Sequence, residues 1–224
     1  YRAPSNLLAG KTILVTGAGD GIGKCAALSY AAHGATVVLA GKTIAKLESV
    51  YDEIENAGYP QAAIYPIHLG GAVMKDYLDM RNSLQDAFGR LDGLLHNASI
   101  LGDRKPIAQT NSDEWQEVMQ VNVNAQFMMT QALLPLLEAS DDASIIFTSS
   151  SVGRKGRAYW GSYAVSKFAT EGLMQILAEE LANTSNIRVN SLNPGATNTA
   201  MRREAYPAEQ PSANPAPENI IPAY

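Results

Sequence analysis

Tyr163 and Lys167 stand four residues apart in SYAVSKFATEG, residues 162–172. The stretch is helix-compatible, so the two side chains share one face, one turn apart. A phenol with its ordinary pKa near 10 is a poor base at neutral pH. An ammonium beside it favours the phenolate, and a shift of about three units needs about 4 kcal/mol of differential interaction. The pair has the parts to move a proton. It also has a purely structural reading, in which both side chains lay an apolar body on a half-buried helix and keep a polar tip in water. Thirteen residues before Tyr163, Ser150 ends an apolar run, ASIIFTSSS at 143–151.

A second constellation lies near the N-terminus. TGAGDGIG, residues 16–23, places Gly17, Gly21 and Gly23 in a GxxxGxG spacing, with Asp20 and Ile22 between them. Glycine permits a sharp turn, keeps side chains off a pyrophosphate and lets a helix pack close to a sheet. The following helix would present free amides and a positive dipole end to the phosphates. A glycine-rich turn can also merely close a connection; its place between an apolar strand and a helix favours a nucleotide. An NAD site usually carries an acid at the end of the second strand. Here the segment is AGKT, residues 40–43, so Lys42 would meet a 2′-phosphate, and NADP(H) is preferred with NAD(H) left open. Asp20 runs against that preference, since a basic residue in the turn would have strengthened it.

The elements that must position these residues alternate along the chain. Strands are expected at 12–17, 35–41, 62–69, 91–99, 143–151 and 187–195. Helices are expected at 21–34, 43–58, 73–88, 112–139 and 160–183. Six strands alternating with helices imply βαβ units, a parallel sheet and right-handed crossovers. Ligands of such sheets sit outside the carboxyl ends of the strands, where Ser150, Tyr163 and Lys167 can share a cavity. The last stretch, 205–224, holds five prolines. It reads as a mobile lid in its first half or as a terminal linker.

Composition narrows the classes. With 224 residues and 46% hydrophobic content, one large domain spanning 1–224 is expected, with 197–224 as its substrate loop and tail. A net charge of −5 without a basic stripe argues against nucleic acid. No run reaches the roughly 18 apolar residues of a membrane span. One cysteine, Cys25, fits a reducing compartment, and a cytoplasmic protein is expected. The three histidines lack ligand spacing, so no metal site is expected.

Taken together, TGAGDGIG, Ser150, Tyr163 and Lys167 resemble the short-chain dehydrogenase/reductase family in its single-domain branch. VMQVNVNAQFM and SSSVGRKGRAYWGSYAVSKFA are especially similar to a bacterial group of oxidoreductases. The resemblance implies a single Rossmann-like doubly wound sheet in the order 3-2-1-4-5-6, helices on both faces. It implies that Tyr163 is the general acid/base, Lys167 its partner and a nicotinamide-ribose ligand, and Ser150 the substrate-orienting serine. Asn122 matches the asparagine of the proton relay. Asn97 and Ala98, in HNAS at 96–99, match the cofactor-side turn, although His96 and Ser99 depart from the family's NNAG. Pro194, Gly195 and Thr199, in NPGATNT at 193–199, match the nicotinamide-binding segment. His68 stands where the family usually has an Asp. Family members continue with a further helix and a seventh strand not seen before Tyr224, so either the sheet ends at six strands or the tail lies outside this sequence. Two long helices could pair across a two-fold axis: a homodimer is expected, with a tetramer left open.

The expected activity is interconversion of a small-molecule carbonyl and an alcohol by hydride transfer. The alternatives are a non-catalytic dinucleotide-binding redox sensor and an epimerase or dehydratase on the same fold. The sensor has no need of a proton-transfer set, and the relatives of the third class usually carry a larger substrate domain.

Overall fold

The computed structural model describes residues 3–224. β1 (Thr12–Thr16) runs through the glycine turn into α1 (Gly21–Ala32), and β2 (Thr36–Gly41) into α2 (Ile44–Asn56). β3 (Ala63–Pro66), α3 (Met74–Phe88) and β4 (Gly93–His96) follow. Then come α4 (Ser112–Met119), a π turn (Gln120–Asn124) and α5 (Ala125–Glu138). β5 (Ala143–Thr148), α6 (Gly161–Leu181), β6 (Ile187–Leu192) and a short α7 (Ala200–Ala205) complete the regular elements. Every strand pairing is parallel, in the order β3-β2-β1-β4-β5-β6. The doubly wound Rossmann-like sheet is as expected.

Alternation along the strands builds two cores. Leu14, Val38, Leu94, Ile145 and Phe147 pack against α3, α5 and α6 through Tyr77, Met80, Met129, Leu133 and Leu177. Ile13, Val15, Val37 and Leu39 face the other way, onto Ala26 and Tyr30 of α1 and Val50 and Ile54 of α2. Coverage on both faces explains why these strands read as unbroken apolar runs.

β4, β5 and β6 are shorter than the expected 91–99, 143–151 and 187–195, so that Ser150 and Pro194 lie past the strand ends, and α7 was not expected. Three further segments differ from the sequence reading. β3 is only four residues long; Pro66 has no N–H for the ladder and ends it. The single helix expected at 112–139 is interrupted by the π turn around Asn122. Asn122 gives its carbonyl to the Thr170 hydroxyl of α6 at 3.4 Å, and its side chain to the loop after β4. These outside partners accompany the widened turn, a feature frequent at functional positions. The proline-rich tail is not a free linker. Ile221 is buried on the α1 side, and the Tyr224 and Thr148 hydroxyls lie 3.2 Å apart. No helix among the described residues is long and apolar enough to cross a membrane.

Candidate active site

At the carboxyl end of β1 the chain turns on Gly17 and Gly21, both with positive φ (67° and 52°). Any other residue would be strained there. A Cβ on Gly23 would lie 2.3 Å from the Gly17 carbonyl oxygen and 2.6 Å from Asn97 Nδ2. Gly23 is therefore what lets α1 sit against the turn; it packs behind the cavity rather than lining it. A Cβ on Gly21 would stand 3.6 Å from Thr199, in the gap between the turn and the segment after β6. By helix geometry the amides of Gly21, Ile22 and Gly23 have no acceptor within α1. Asp20 caps α1 and takes the Gly21 amide at 2.7 Å, while its other oxygen holds Lys46 at 2.5 Å. The Lys46 ammonium, with the Gly21 amide, keeps the Asp20 carboxyl below its usual range.

Thr16 ties β1 to the turn after β4. Its hydroxyl accepts from the Asn97 and Ala98 amides, both at 3.0 Å, and the Asn97 amide group donates to the Thr16 carbonyl at 3.2 Å. His96 points away from the site. It stacks on Phe147 at 4.7 Å and shares a hydrogen bond with Thr130 at 2.8 Å. Burial pushes its pKa down to about 3, so it is a neutral core residue.

Two adjoining cavities open above the strand ends, of ≈ 310 Å³ and ≈ 280 Å³, and meet at Gly17, Asp20, Ala98 and Ser99. The first is lined by Ser150, Tyr163, Lys167, Pro194, Gly195 and Thr199, and on the glycine-turn side by Ile22 and Asn97. The second is lined by Lys42, Lys46 and His68. The sequence-selected residues thus lie along one continuous channel, except Gly23 and Asn122, which stand behind it. A larger groove of ≈ 1240 Å³ beside α1 holds none of Ser150, Tyr163 or Lys167.

Tyr163 and Lys167 come from successive turns of α6, with the Lys167 ammonium 5.5 Å from the centre of the phenol ring. That ammonium is fully enclosed and donates to the Thr148 carbonyl at the end of β5, 2.8 Å away. Burial pushes the phenol up to about 12, against a smaller pull downward from the Ser150 and Ser99 hydroxyls. Burial also pushes Lys167 down to about 8, partly opposed by Glu171 one turn along. Desolvation penalises both charged forms and is the largest cause of each shift.

Asn122 is a brace. Its carbonyl oxygen accepts from the Ile100 amide and its amide donates to the Ile100 carbonyl, both at 2.9 Å, with a further bond to Ser166 at 3.0 Å. Ser166 in turn donates to the Tyr163 carbonyl, so the brace joins the loop after β4 to the turn of α6 that carries the phenol. Pro194 and Gly195 follow β6 in a tight turn, with Gly195 at φ 69° and its amide on the Asn193 side chain. Thr199 caps α7.

A sequence model described as short chain dehydrogenase matches residues 11–210. The chain belongs to that family. Among short chain dehydrogenases of known structure, one from Pseudomonas syringae superimposes with TM-score 0.98 at 59% identity, covering 100% of this chain and 91% of the other. One from Escherichia coli CFT073, complexed with NADPH, gives 0.96 at 50% identity, covering 99% and 92%. The uncharacterized oxidoreductase YciK of Escherichia coli K12 is 50% identical over 224 residues, all of this chain and 88% of its own.

Other residues shape the same cavity, and the backbone contact among them was not legible in the sequence. Ser99, where the family's NNAG has glycine, puts a buried hydroxyl on the cavity wall near Tyr163. Ser149 has an unpartnered buried hydroxyl on the same wall. Thr148 anchors Lys167 through its backbone, which no side-chain pattern reveals. Tyr159, at φ 69°, is the one non-glycine residue with positive φ among the described residues, and the loop leads from it directly to Trp160 at the cavity wall.

Proposed function

We propose that this oxidoreductase is an NADP(H)-dependent carbonyl reductase and alcohol dehydrogenase in which Tyr163 exchanges a proton with the substrate oxygen. The observation that carries the reading is the shared cavity: the glycine turn and Gly195 at one side, Tyr163, Lys167 and Ser150 at the other. A dinucleotide fits this chain. The Gly21 position leaves open the space a side chain would fill opposite Thr199, and amides of α1 point toward it. Gly17, Ile22, Asn97, Ala98, Pro194, Gly195 and Thr199 would hold its pyrophosphate and nicotinamide halves, and Lys42 its 2′-phosphate. NADPH complexes of a relative half identical in sequence support the choice.

NADPH held by these residues would supply the hydride that reduces the carbonyl carbon. Ser150 orients the carbonyl oxygen, and Tyr163 gives that oxygen its proton. Burial keeps the phenol protonated, so it holds the proton that the substrate oxygen takes. Lys167 stabilises the phenolate left behind. Alcohol oxidation uses the same groups in reverse. We also propose that the protein is a homodimer, with a tetramer left open. Phe127 on α5 and Phe168 and Ile176 on α6 are 49%, 45% and 60% exposed, apolar surface of the kind that marks an interface.

Fluorescence titration with NADPH and NADH, followed by a panel of carbonyl substrates read on the nicotinamide absorbance band, tests this. NADPH should bind the tighter of the two and be oxidised by at least one carbonyl. Tight binding with no turnover across the panel would instead favour a redox sensor. Lys42→Glu should move the kcat/KM preference toward NADH by on the order of tenfold, about 1.4 kcal/mol. An unchanged ratio would show that Lys42 does not read the 2′-phosphate.

A further inference from the structure

The charge of this chain is unevenly placed. Its net charge is −5, from 17 Lys and Arg against 22 Asp and Glu. Three segments that reach the wall of the Tyr163 cavity at Leu101, at Ser150 and Trp160, and at Thr197, Met201 and Arg202 break that balance, although Arg203 faces the groove beside α1. The loop at 100–110 supplies Arg104 and Lys105, and the loop at 151–160 supplies Arg154, Lys155 and Arg157. The segment at 197–210 adds Arg202 and Arg203. Against these seven cations stand Asp103, Glu204 and Glu209 on the same segments and Glu114 and Glu171, which reach them from α4 and α6, a local balance of +2, so the rest of the chain carries −7.

The three loops meet at Arg104. Its guanidinium lies 4.6 Å from the Trp160 ring and 4.7 Å from the Tyr206 ring, and it donates to the Ala205 carbonyl. Trp160 and Tyr163 are in turn 5.8 Å apart, centre to centre, so one indole separates the cation from the phenol. Lys105, Arg154 and Arg202 are paired with Asp103, Glu171 and Glu209. Among the described residues no carboxylate pairs Arg104, Lys155, Arg157 or Arg203. Below them the cavity wall is apolar: Leu101, Met201, Ala205 and the indole. A loop clasp alone would need neither the excess charge nor unpaired cations on an acidic protein.

We propose that the substrate is a carbonyl compound with an apolar body and a remote anionic group, carboxylate or phosphate, which Arg104 and the surrounding cations read at the cavity mouth. This rests on the reductase reading above and assigns the substrate class for that site. Arg104 is suited to the task because its planar donors match oxyanions and its faces stack on aromatic rings. The field of the whole rim draws anions in and keeps the apolar body oriented toward Tyr163.

The test uses matched pairs with NADPH: levulinate against methyl levulinate, para-acetylbenzoate against its methyl ester, and para-acetylphenyl phosphate against para-hydroxyacetophenone. The anionic member of at least one pair should have a kcat/KM higher by on the order of tenfold or more. The carboxylate and phosphate arms show which oxyanion is read. The advantage should shrink as ionic strength rises from about 0.01 M to about 0.2 M. Arg104→Met should bring the ratio toward one, and Arg157→Gln, on the exposed rim away from the aromatic stack, should lower it by a smaller factor. Should NADPH bind yet no anion be preferred, or neither member of any pair react, the substrate class is wrong while other carbonyls remain open to the enzyme. Failure of NADPH to bind at all would overturn the reductase reading itself.

Discussion

Lys167 is an ammonium enclosed by protein, with one backbone carbonyl as its recorded partner. Its depression from 10.5 to about 8 corresponds to roughly 3 kcal/mol of cost to the fold while it stays charged. The sign follows from linkage: between the folded and unfolded values the unfolded chain binds more protons, so stability rises with pH there. The cost is full below about pH 8 and gone above about 10.4. Lys167→Met should therefore unfold at a higher temperature than the native protein near pH 7, even after losing about 1 kcal/mol at the Thr148 carbonyl. That advantage should shrink as the pH approaches 10, and thermal melts at the two pH values check it; a less stable variant at pH 7 would show that the ammonium stabilises the fold. Residue types and spacing made Tyr163, Lys167 and Ser150 legible, because i and i+4 positions of a helix must share a face. The protonation energies were not legible. They depend on burial, and neither sequence spacing nor residue type reports how dry a helix face becomes. His96 shows the same limit: its neighbours in sequence suggested the cofactor turn, but strand alternation turns it into the core against Phe147.

Short connections hold the strand ends in register. Asp92, just before β4, accepts from the Thr12 amide at 2.8 Å and the Ser140 hydroxyl at 2.7 Å, with Arg90 at 3.1 Å. Burial works to raise its pKa, yet these hydrogen bonds outweigh it and hold the carboxyl below its usual range. A depressed carboxyl stabilises the fold above its unfolded pKa of about 3.9, and the contribution is lost as the pH falls through the folded value. Asp92→Asn should cost about 1–3 kcal/mol at pH 7, read by chemical denaturation. The deficit should narrow on acidification below about pH 4; a deficit constant with pH would show that charge is not what Asp92 contributes. Helices and strands were readable as patterns because both faces of the sheet bury apolar residues. The π turn was not, since QVNVN is compatible with an ordinary helix and only the outside partners of Asn122 reveal the widened turn.

At the scale of the molecule, the parallel sheet and its right-handed crossovers were available from the alternation of elements, whereas the order of the strands came from the family resemblance and matches the structure. Sites formed between distant loops were not available. The Asp20–Lys46 pair and the stack of Arg104 on Trp160 and Tyr206 join segments far apart in the chain. The exposed faces of α5 and α6 set the expectation for assembly: light scattering should give a dimer, and Phe168→Glu should give a monomer. A monomeric native protein would remove the interface. The central claim, that Tyr163 transfers the proton beside a bound nicotinamide, is tested most directly by measuring NADPH affinity and carbonyl turnover together in the native protein and in Tyr163→Phe. The variant should bind NADPH within about threefold of the native protein and reduce its substrate on the order of 10²–10⁴-fold more slowly. Native-like turnover in Tyr163→Phe would contradict the account.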